Sequence, residues 1–523
     1  MADIKTTQEQ DELHRAIWAV ANELRGSVDG WDFKSYVLGT MFYRYISEHF
    51  ASYLNDDEHK AGNVGFDYAS LTDEEAELSQ DAIDDIIRSV GFYMKPSHLF
   101  CNVCKRAKSD ENLNETLEKV FNSIEDSSKG TPSEKCFVGL FDDFDVNSNK
   151  LGASVSKRNE RLVKLLDGVA GMNLGGIGEH DIDAFGDAYE YLMGMYASNA
   201  GKSGGEYYTP AEVSELLTRL GTVGKTQVNK VYDPASGSGS LLLKAKKILG
   251  EDGVRIGYYG QEINITTYNL CRINMFLHGV PFDKFDIACD DTLSNPLHWD
   301  DEPFELIVSN PPYSVKWKGD DDATLINDPR FAPAGVLAPK SKADMAFIMH
   351  SLSWLAPNGV AAIVCFPGIM YRGGAEKKIR QYLVDNNFID SIIQLPDNLF
   401  FGTSIATCIM VMKRGKDDNG VLFIDASKEC VKVTNNNRLE QKNIDRIVEL
   451  FANREDVQYV SHLASYDEIK EQDFNLSVST YVEKKDTREK VDIVKLNAEI
   501  EQIVKREDEL RAAIRDIIDE ISG

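Results

Sequence analysis

Residues Val231–Ser240 read Val-Tyr-Asp-Pro-Ala-Ser-Gly-Ser-Gly-Ser, and the apolar helical stretch Leu241–Leu249 follows them directly. A strand end, a glycine-rich turn and a helix in this order are typical of the first unit of a doubly wound α/β sheet. In such a sheet the turn lies at the carboxyl edge of the strands, where ligands bind, and glycine lets a ligand approach the backbone closely. The segment therefore predicts a binding loop for a nucleotide-like cofactor.

The same loop departs from the two common phosphate-binding motifs. No Gly-Lys-Ser or Gly-Lys-Thr follows it, so it is not a P-loop, and Gly237-Ser238-Gly239 lacks the third glycine of a dinucleotide fingerprint. Asp233 would place a negative charge where a pyrophosphate would lie. A negative charge at this point favours a positively charged cofactor; the alternative is a structural glycine turn that binds nothing.

Around this loop, short β-branched or aromatic runs alternate with helical patterns. The runs are Lys230–Asp233, Val254–Tyr259, Phe285–Cys289, Phe304–Ser309, Val360–Cys365, Phe388–Leu395 and Ile405–Lys413. Their alternation predicts an α/β fold with a mostly parallel sheet that helices cover on both faces. The sequence before it reads as helical, so we expect a helical N-terminal domain (1–165), an α/β domain (166–475) and a C-terminal helical tail (476–523).

Polar side chains stand at the ends of the next two predicted strands. Glu262 ends the second strand, and an acid at that position can accept both hydrogen bonds from a ribose diol. Asp290 and Asp291 follow the third strand. The alternative for an isolated acid is a solvated surface residue, but their place at the carboxyl edge favours ligand contact.

The fourth strand, Phe304–Ser309, delivers Asn310-Pro311-Pro312-Tyr313. Two prolines stiffen the backbone, remove two N–H donors and leave carbonyls free as acceptors. The side-chain oxygen of Asn310 and the carbonyl of Pro311 can both accept from one planar NH2 group, and the Tyr313 ring offers a face for stacking a base. A tight turn is the alternative interpretation of this motif.

The C-terminal tail carries a heptad pattern. Ile493, Leu496, Ile500, Ile503, Glu507, Leu510, Ile514, Ile517 and Ile521 follow one another at alternating spacings of three and four residues. This pattern predicts a coiled-coil seam with one polar interruption, and a seam needs a partner helix. We expect a subunit interface here; the alternative is a helix packed on its own domain.

Composition limits the classes of function. The chain has 523 residues and a net charge of −28, which disfavours an autonomous nucleic-acid binder because phosphate affinity comes from lysine and arginine. No apolar run approaches the roughly 20 residues of a membrane span, and no signal peptide is recognisable, so we expect a cytoplasmic protein without a membrane partner. The eight cysteines look like reduced thiols, and the single Cys101-x-x-Cys104 pair does not predict a metal site.

Together, Asp233–Ser240 and Asn310–Tyr313 resemble the motifs of S-adenosylmethionine-dependent amino-methyltransferases, in the order typical of adenine-N6 DNA methyltransferases. Nearly the whole chain, including the helical N-terminal part and Gln394–Phe400, resembles the modification subunit of type I restriction-modification systems. The resemblance implies a Rossmann-like methyltransferase domain. This chain departs from the pattern of the family at Ser236 and Ser238, where Cys and Thr are more usual, and at Asp290, where glycine is common.

The resemblance also implies site residues. Gly205–Pro210 resembles the segment that contacts the methionine part of the cofactor, and physically Thr209, Pro210 and Glu212 predict a capping box at a helix start. The implied cofactor-binding residues are Glu206, Tyr207, Tyr208, Thr209, Asp233, Pro234, Ser236, Gly237, Ser238, Gly239, Ser240, Glu262, Asp290 and Asp291; the implied catalytic residues are Asn310, Pro311, Pro312 and Tyr313, with Tyr313 and Phe400 stacking on the base. Which of Asp290 and Asp291 faces the ligand stays open.

The activity implied is methyl transfer from S-adenosylmethionine to adenine N6 in DNA. The partners implied are DNA, a specificity subunit that reads the sequence, a restriction subunit, and two modification subunits for each specificity subunit. Three alternatives stay open: methylation of a protein glutamine amide, a non-catalytic scaffold, and cytosine-N4 methylation, which the Asn at position 310 disfavours by resemblance only.

Overall fold

The computed structural model of the chain describes residues 12–20, 30–174, 184–199, 209–400, 404–433, 436–484 and 493–523. The chain divides into two compact units, Met1–Val482 and Glu483–Gly523. Across the described ranges, no helix is long and apolar enough to cross a bilayer.

The first part of the larger unit is helical, as predicted. Besides residues 12–20, it contains α1 (Gly30–Lys60), α2 (Gln80–Val90), α3 (Phe100–Ala107), α4 (Leu113–Ser128), α5 (Glu134–Phe137) and α6 (Val155–Ala170). Helix α4 buries Leu113, Leu117, Val120 and Ile124, whose spacing of three and four residues places them on one face. Burial of such faces against one another holds these helices together.

A nine-stranded sheet forms the centre of the following part. Its strands are β1 (Val228–Asp233), β2 (Val254–Glu262), β3 (Phe285–Cys289), β4 (Phe304–Ser309), β5 (Leu355–Cys365), β6 (Ile389–Gln394), β7 (Cys408–Lys413), β8 (Val421–Asp425) and β11 (Ser461–Ala464), while β9 (Val431–Val433) and β10 (Asn436–Arg438) form a separate hairpin. The order across the sheet is β11-β8-β6-β7-β5-β4-β1-β2-β3. Strands β3, β2, β1, β4 and β5 are parallel, and β7 runs antiparallel between β5 and β6.

Helices cover both faces of this sheet. Helix α7 (Ala184–Asn199) packs on α1 and on α10, and the helices around the sheet are α8 (Ala211–Thr222), α9 (Ser240–Leu249), α10 (Ile265–Leu277), α11 (Asp344–Trp354), α12 (Ala375–Asp385), α13 (Gln441–Asn453), α14 (Tyr466–Glu471) and α15 (Val478–Tyr481). Successive strand residues point to opposite faces, so Val231 joins one apolar core and Tyr232 the other. The core that contains Val231 also contains the N-terminal helices. The α/β fold predicted from the alternation of strands and helices is confirmed.

Helix α10 connects the N-terminal helices to the sheet. Its Arg272 is 2% exposed and donates hydrogen bonds to the carbonyls of Lys135 (3.1 Å) and Val138 (3.0 Å). Asp143 accepts from Asn269 on the same helix at 2.9 Å. Because α10 directly follows the strand that ends in Glu262, the helical part is attached next to the predicted cofactor edge.

The segment 314–342, between β4 and α11, is folded and anchored by one buried arginine. The Arg330 side chain is 1% exposed, pairs with Asp328 at 2.7 Å and donates to the carbonyls of Thr292 and Leu293, both at 2.8 Å. It also lies 3.1 Å from Nδ1 of His350. Arginine only donates, so Nδ1 of His350 accepts and its proton is on Nε2, and burial lowers the pKa of His350 well below its ordinary value.

Replacing Arg330 with alanine is expected to lower the free energy of unfolding by about 3–5 kcal/mol, because Asp328, two carbonyls and His350 would all lose a buried donor. Urea denaturation of the full chain measures this change. Arg446, which is partly exposed and pairs with Glu449 at the surface, is the matched control; its alanine variant should change stability by less than about 1 kcal/mol. Equal effects of the two variants would contradict the anchoring role.

The smaller unit contains helix α16 (Ile493–Ser522), and no residue of this helix is buried. The apolar positions of the heptad pattern are exposed, among them Ile500 at 49%, Leu510 at 52% and Ile514 at 55%. The predicted C-terminal helix is therefore present, and its apolar seam is uncovered in this single chain.

Candidate active site

The predicted cofactor and catalytic motifs meet at one point of the sheet. Strands β1 and β4 are neighbours, and the strand order runs in opposite directions from them, through β2 and β3 on one side and through β5 on the other. This is a topological switch point, where α/β proteins bind ligands beyond the carboxyl ends of the strands. Asp233 ends β1 and Asn310 follows β4, so the topology brings the two motifs together.

The glycine loop is held in place from three sides. The backbone N–H of Ser236 donates to the Gln261 carbonyl at 3.0 Å, the Thr292 hydroxyl donates to the Pro234 carbonyl at 2.7 Å, and the Asn274 amide donates to the Ser238 carbonyl at 2.8 Å. These contacts come from β2, the turn after β3 and α10.

Glycine is required at two positions of this loop. Gly237 and Gly239 have φ angles of 52° and 80°, in the left-handed region that favours glycine. A Cβ atom on Gly239 would also lie 2.8 Å from the sulfur of Cys271. The two glycines of the motif therefore serve the backbone turn as well as any ligand.

Asp233 is a buried acid for which the described residues supply no countercharge. It is 0% exposed; its Oδ1 accepts from the Ser309 hydroxyl at 2.7 Å and from the Ala235 N–H at 3.0 Å. Its Oδ2 is buried and has no hydrogen-bond partner among the described residues. Burial raises the pKa of Asp233 to about 7, and the neighbouring Glu262 adds to the rise while both hydrogen bonds oppose it. An orphaned carboxylate oxygen in this position suits a cationic ligand group.

The other predicted acids lie at the same edge. Glu262 accepts from the N–H groups of Gly237 (3.0 Å) and Asn264 (2.9 Å), and burial raises its pKa. Asp290 accepts from Asp291 N and from the Asn295 amide, while Asp291 accepts from Leu293 N and the Ser294 hydroxyl. Both aspartates therefore brace the turn after β3.

Asn310 lies in a chain of side-chain hydrogen bonds. Its Oδ1 accepts from the Tyr313 hydroxyl at 2.6 Å, and its Nδ2 donates to the Thr209 hydroxyl at 3.1 Å. The prediction of a capping box at Thr209 is wrong, because Pro210 is the N-cap of α8 and no side chain caps this helix. The Thr209 hydroxyl binds the amide of Asn310 instead.

The Tyr313 ring is partly buried, and its centroid lies 6.5 Å from that of Phe400, with the two rings at 85°. Phe400 is only 2% exposed. Its edge-to-face contact with Tyr313 fixes the tyrosine ring, and stacking of either ring on a base stays a prediction. Glu206, Tyr207 and Tyr208 lie outside the described residues.

A cavity opens beside the glycine loop. Thr209, Ser214, Ser238, Ser240, Lys244 and Asn274 line it, together with residues of α7 that include Glu190. Hydroxyls, the N-terminal ends of α8 and α9 and one lysine make this lining suitable for a carboxylate. No sequence motif indicates that Lys244, Ser214 and Asn274 belong to the site. The same holds for Ser309, whose one sequence cue is its position directly before Asn310.

Two family models match the chain. The model described as N-6 DNA Methylase matches residues 180–490, and the model described as HsdM N-terminal domain matches residues 13–169. The first covers the sheet with both motifs, and the second covers the N-terminal helices.

Individual proteins agree with this match. The methylase subunit of the type I restriction enzyme MpnII from Mycoplasma pneumoniae is 47% identical over 99% of this chain and 97% of its own length. A solved methyltransferase subunit of a type I restriction-modification system from Streptococcus thermophilus is 36% identical, with a TM-score of 0.80 over 91% of this chain and 100% of that one. A structure from a study of the complex assembly of a type I system is 18% identical with a TM-score of 0.64, over 97% of this chain and 99% of that one, and supports the fold alone.

Proposed function

Because the chain belongs to the N-6 DNA methylase family, as a methylase subunit of the type I restriction-modification kind, we propose a role in methyl transfer for each of its site residues. The activity is transfer of a methyl group from S-adenosylmethionine to the N6 amino group of adenine in DNA. The observation that carries the proposed roles is the meeting of Asp233 and the Asn310 turn at a single switch point, joined through Ser309.

The cofactor is held by the loop Asp233–Ser240 and the acids around it. When bound, S-adenosylmethionine supplies an electrophilic methyl group on a positively charged sulfur. Asp233 Oδ2 accepts from the ammonium group of the amino-acid part, and Glu262 accepts from the ribose hydroxyls. Thr209 and the cavity hydroxyls bind near the carboxylate. Glu206, Tyr207 and Tyr208 from the preceding segment contact the methionine part, and Asp290 and Asp291 after β3 complete the cofactor site.

Cofactor affinity should fall as the pH drops below about 7. The ammonium group is attracted by ionised Asp233, whereas the protonated acid offers it no charge. The pKa of Asp233 without ligand, about 7, therefore sets the pH at which affinity begins to fall. Below this pH, each pH unit should weaken binding up to about tenfold. Calorimetric titration of the chain with S-adenosylmethionine at pH 6, 7 and 8 measures this. A dissociation constant that is flat across this range would contradict the role of Asp233.

Asn310 and Pro311 activate the target amine. The N6 lone pair of adenine is delocalised into the ring, so the amine is a weak nucleophile. Accepting its two hydrogens at Asn310 Oδ1 and the Pro311 carbonyl favours a tetrahedral nitrogen and stabilises the positive charge that develops on it. Oδ1 has two lone pairs and already accepts from Tyr313, so one remains for the amine. Pro312 keeps the turn rigid.

The target base must leave the duplex to reach these acceptors. Inside the helix N6 is not accessible for attack, so the adenine is flipped out and stacks on Tyr313, with Phe400 as a second wall. The two rings are perpendicular, at 85°, so a base that stacks face to face on Tyr313 meets Phe400 at an edge.

As a type I subunit, the chain works with other subunits and DNA. In finer detail, we infer a specificity subunit that reads the sequence, two modification subunits around it, and a restriction subunit that joins for cleavage, all in the cytoplasm. The net charge of −28 supports a complex in which the partner subunits supply much of the contact with the DNA phosphates. We propose a helical domain at 1–165, a catalytic domain at 166–475 and a tail at 476–523, with the assembly role placed in helix α16, because α15 at the start of the tail packs within the larger unit.

A transfer assay tests this function directly. The chain is co-expressed with its specificity subunit and incubated with methyl-labelled S-adenosylmethionine and either duplex DNA or a mixture of proteins. Label in DNA that digestion recovers as N6-methyladenine supports the proposal. Label only in protein would favour the glutamine methyltransferase, and the absence of both transfer and cofactor binding would favour a scaffold.

A further inference from the structure

Ser309 is the residue that connects the two motifs of the site, and no motif includes it. It ends β4, directly before Asn310, and its hydroxyl lies 2.7 Å from Oδ1 of Asp233 at the end of β1. Both side chains are 0% exposed. A carboxylate oxygen accepts and a serine hydroxyl donates to it, so the direction of this hydrogen bond is unambiguous.

The hydrogen bonds on Asp233 are unequal. Oδ1 receives two donors, Ser309 and the Ala235 N–H, while Oδ2 receives none from the described residues. The groups that face the acid electrostatically are Glu262 from β2 and Cys271 from α10, and Tyr232 precedes it on its own strand. None of these is a cation. As far as the described residues go, hydrogen bonds are therefore what stabilises the buried charge before a ligand binds.

We propose that Ser309 is a positioning residue for the cofactor: its hydroxyl orients the Asp233 carboxylate and favours its ionised form, with Oδ2 left for the ammonium group of S-adenosylmethionine. The inference rests on the proposed cofactor site and deepens it. Ser309 acts through Asp233 and not on the reacting atoms, although it neighbours Asn310 in the chain.

The alternative is that Ser309 only fills space at the end of a strand. The two roles differ in their dependence on pH. A hydrogen bond to the charged form lowers the pKa of an acid, so its loss raises the pKa of Asp233 above its value of about 7. A variant without the hydroxyl should then bind the cofactor more weakly than the parent at neutral pH and approach the affinity of the parent at higher pH, whereas a packing defect weakens binding by the same factor at every pH.

The experiment compares Ser309→Ala with Ser309→Thr, which keeps the hydroxyl, in the full chain. Calorimetric titration with S-adenosylmethionine from pH 6 to pH 9 should show about ten- to a hundredfold weaker binding of the alanine variant at pH 7. The deficit should shrink toward pH 9, and the threonine variant should bind within a few-fold of the parent. Ser391→Ala is the matched control, because Ser391 is also 0% exposed on the same sheet but donates to a backbone carbonyl.

A kinetic readout separates this role from one at Asn310. In the assembled complex, Ser309→Ala should raise the KM for S-adenosylmethionine and leave kcat at saturating cofactor within about twofold, since the amine acceptors are untouched. The inference is overturned if Ser309→Ala binds like the parent at every pH, if its deficit is the same at every pH, or if only kcat falls. A parent chain that binds no cofactor at all would refute the proposed function itself, so the two failures are distinguishable.

Discussion

Replacing Asn310 with alanine is expected to slow methyl transfer about 100- to 1000-fold, the usual effect of removing one preorganised group that stabilises developing charge. The chain would lose the side-chain oxygen that accepts from the target amine and keep the Pro311 carbonyl. Affinity for S-adenosylmethionine should change by less than about tenfold, because the hydrogen bond to Thr209 is the side-chain contact of Asn310 with the proposed cofactor residues. Single-turnover transfer to DNA by the assembled complex measures the rate, and calorimetry measures the binding.

Tyr313→Phe is the companion variant to Asn310→Ala. It removes the hydroxyl that donates to Asn310 Oδ1 at 2.6 Å but keeps the ring and its contact with Phe400. Stacking of the base is preserved, so transfer should stay within about tenfold of the parent. If Asn310→Ala transferred methyl at a near-normal rate with an unchanged melting temperature, the amide would not be the acceptor of the amine hydrogens.

Placing lysine at three positions of the α16 seam, Leu510, Ile514 and Ile517, is expected to abolish association with the specificity subunit. These side chains are 52–55% exposed in the single chain, so its own stability should not change. Burying each of them against a partner helix contributes about 1.5–3 kcal/mol, and losing all three weakens association by roughly a thousandfold or more. Co-purification with an affinity-tagged specificity subunit measures this result.

The matched control has lysine at Ala498, Gln502 and Ala512, on the opposite side of the same helix. It adds the same three charges and should co-purify normally. Both variants should bind S-adenosylmethionine like the parent, because the site lies in the other unit. Retention of the complex by the seam variant would assign assembly to another surface, and its loss in both variants would point to charge alone.

Both motifs could be found in the sequence because each places a characteristic set of residues directly at the end of a predicted strand. Strand β4 has the predicted bounds, Phe304–Ser309, since its apolar run ends at the polar Asn310 turn. The glycines of the loop marked a turn in the sequence, and the structure gives the reason, because both adopt positive φ angles that other residues rarely adopt. Strand β7 was recognised as a strand, but its antiparallel direction was not, because direction depends on pairing with β5 and β6 and not on local composition.

Thr209 shows why the remaining details could not be predicted. Its neighbours Pro210 and Glu212 form a convincing local capping pattern, yet its hydroxyl binds Asn310, which lies 101 residues later in the chain. Likewise, no local pattern in 314–342 predicts its anchor, because only the folded chain brings Arg330 to His350 and to the carbonyls after β3. Local sequence patterns indicate only the partners that neighbouring residues offer, whereas the partners actually bound here are distant in the sequence.

The sequence by itself therefore determined the fold class, the glycine loop, the Asn310 turn and the apolar seam of α16, because all four follow from local spacing and residue type. Only the tertiary structure decided which polar atoms meet. It placed the Ser309 hydroxyl on Asp233, left Oδ2 of that acid without a partner and linked Thr209 to Asn310. The contact of Ser309 with Asp233 depends on the pairing of β1 with β4, and local spacing and residue type do not specify which buried polar atoms such pairing brings within hydrogen-bond distance.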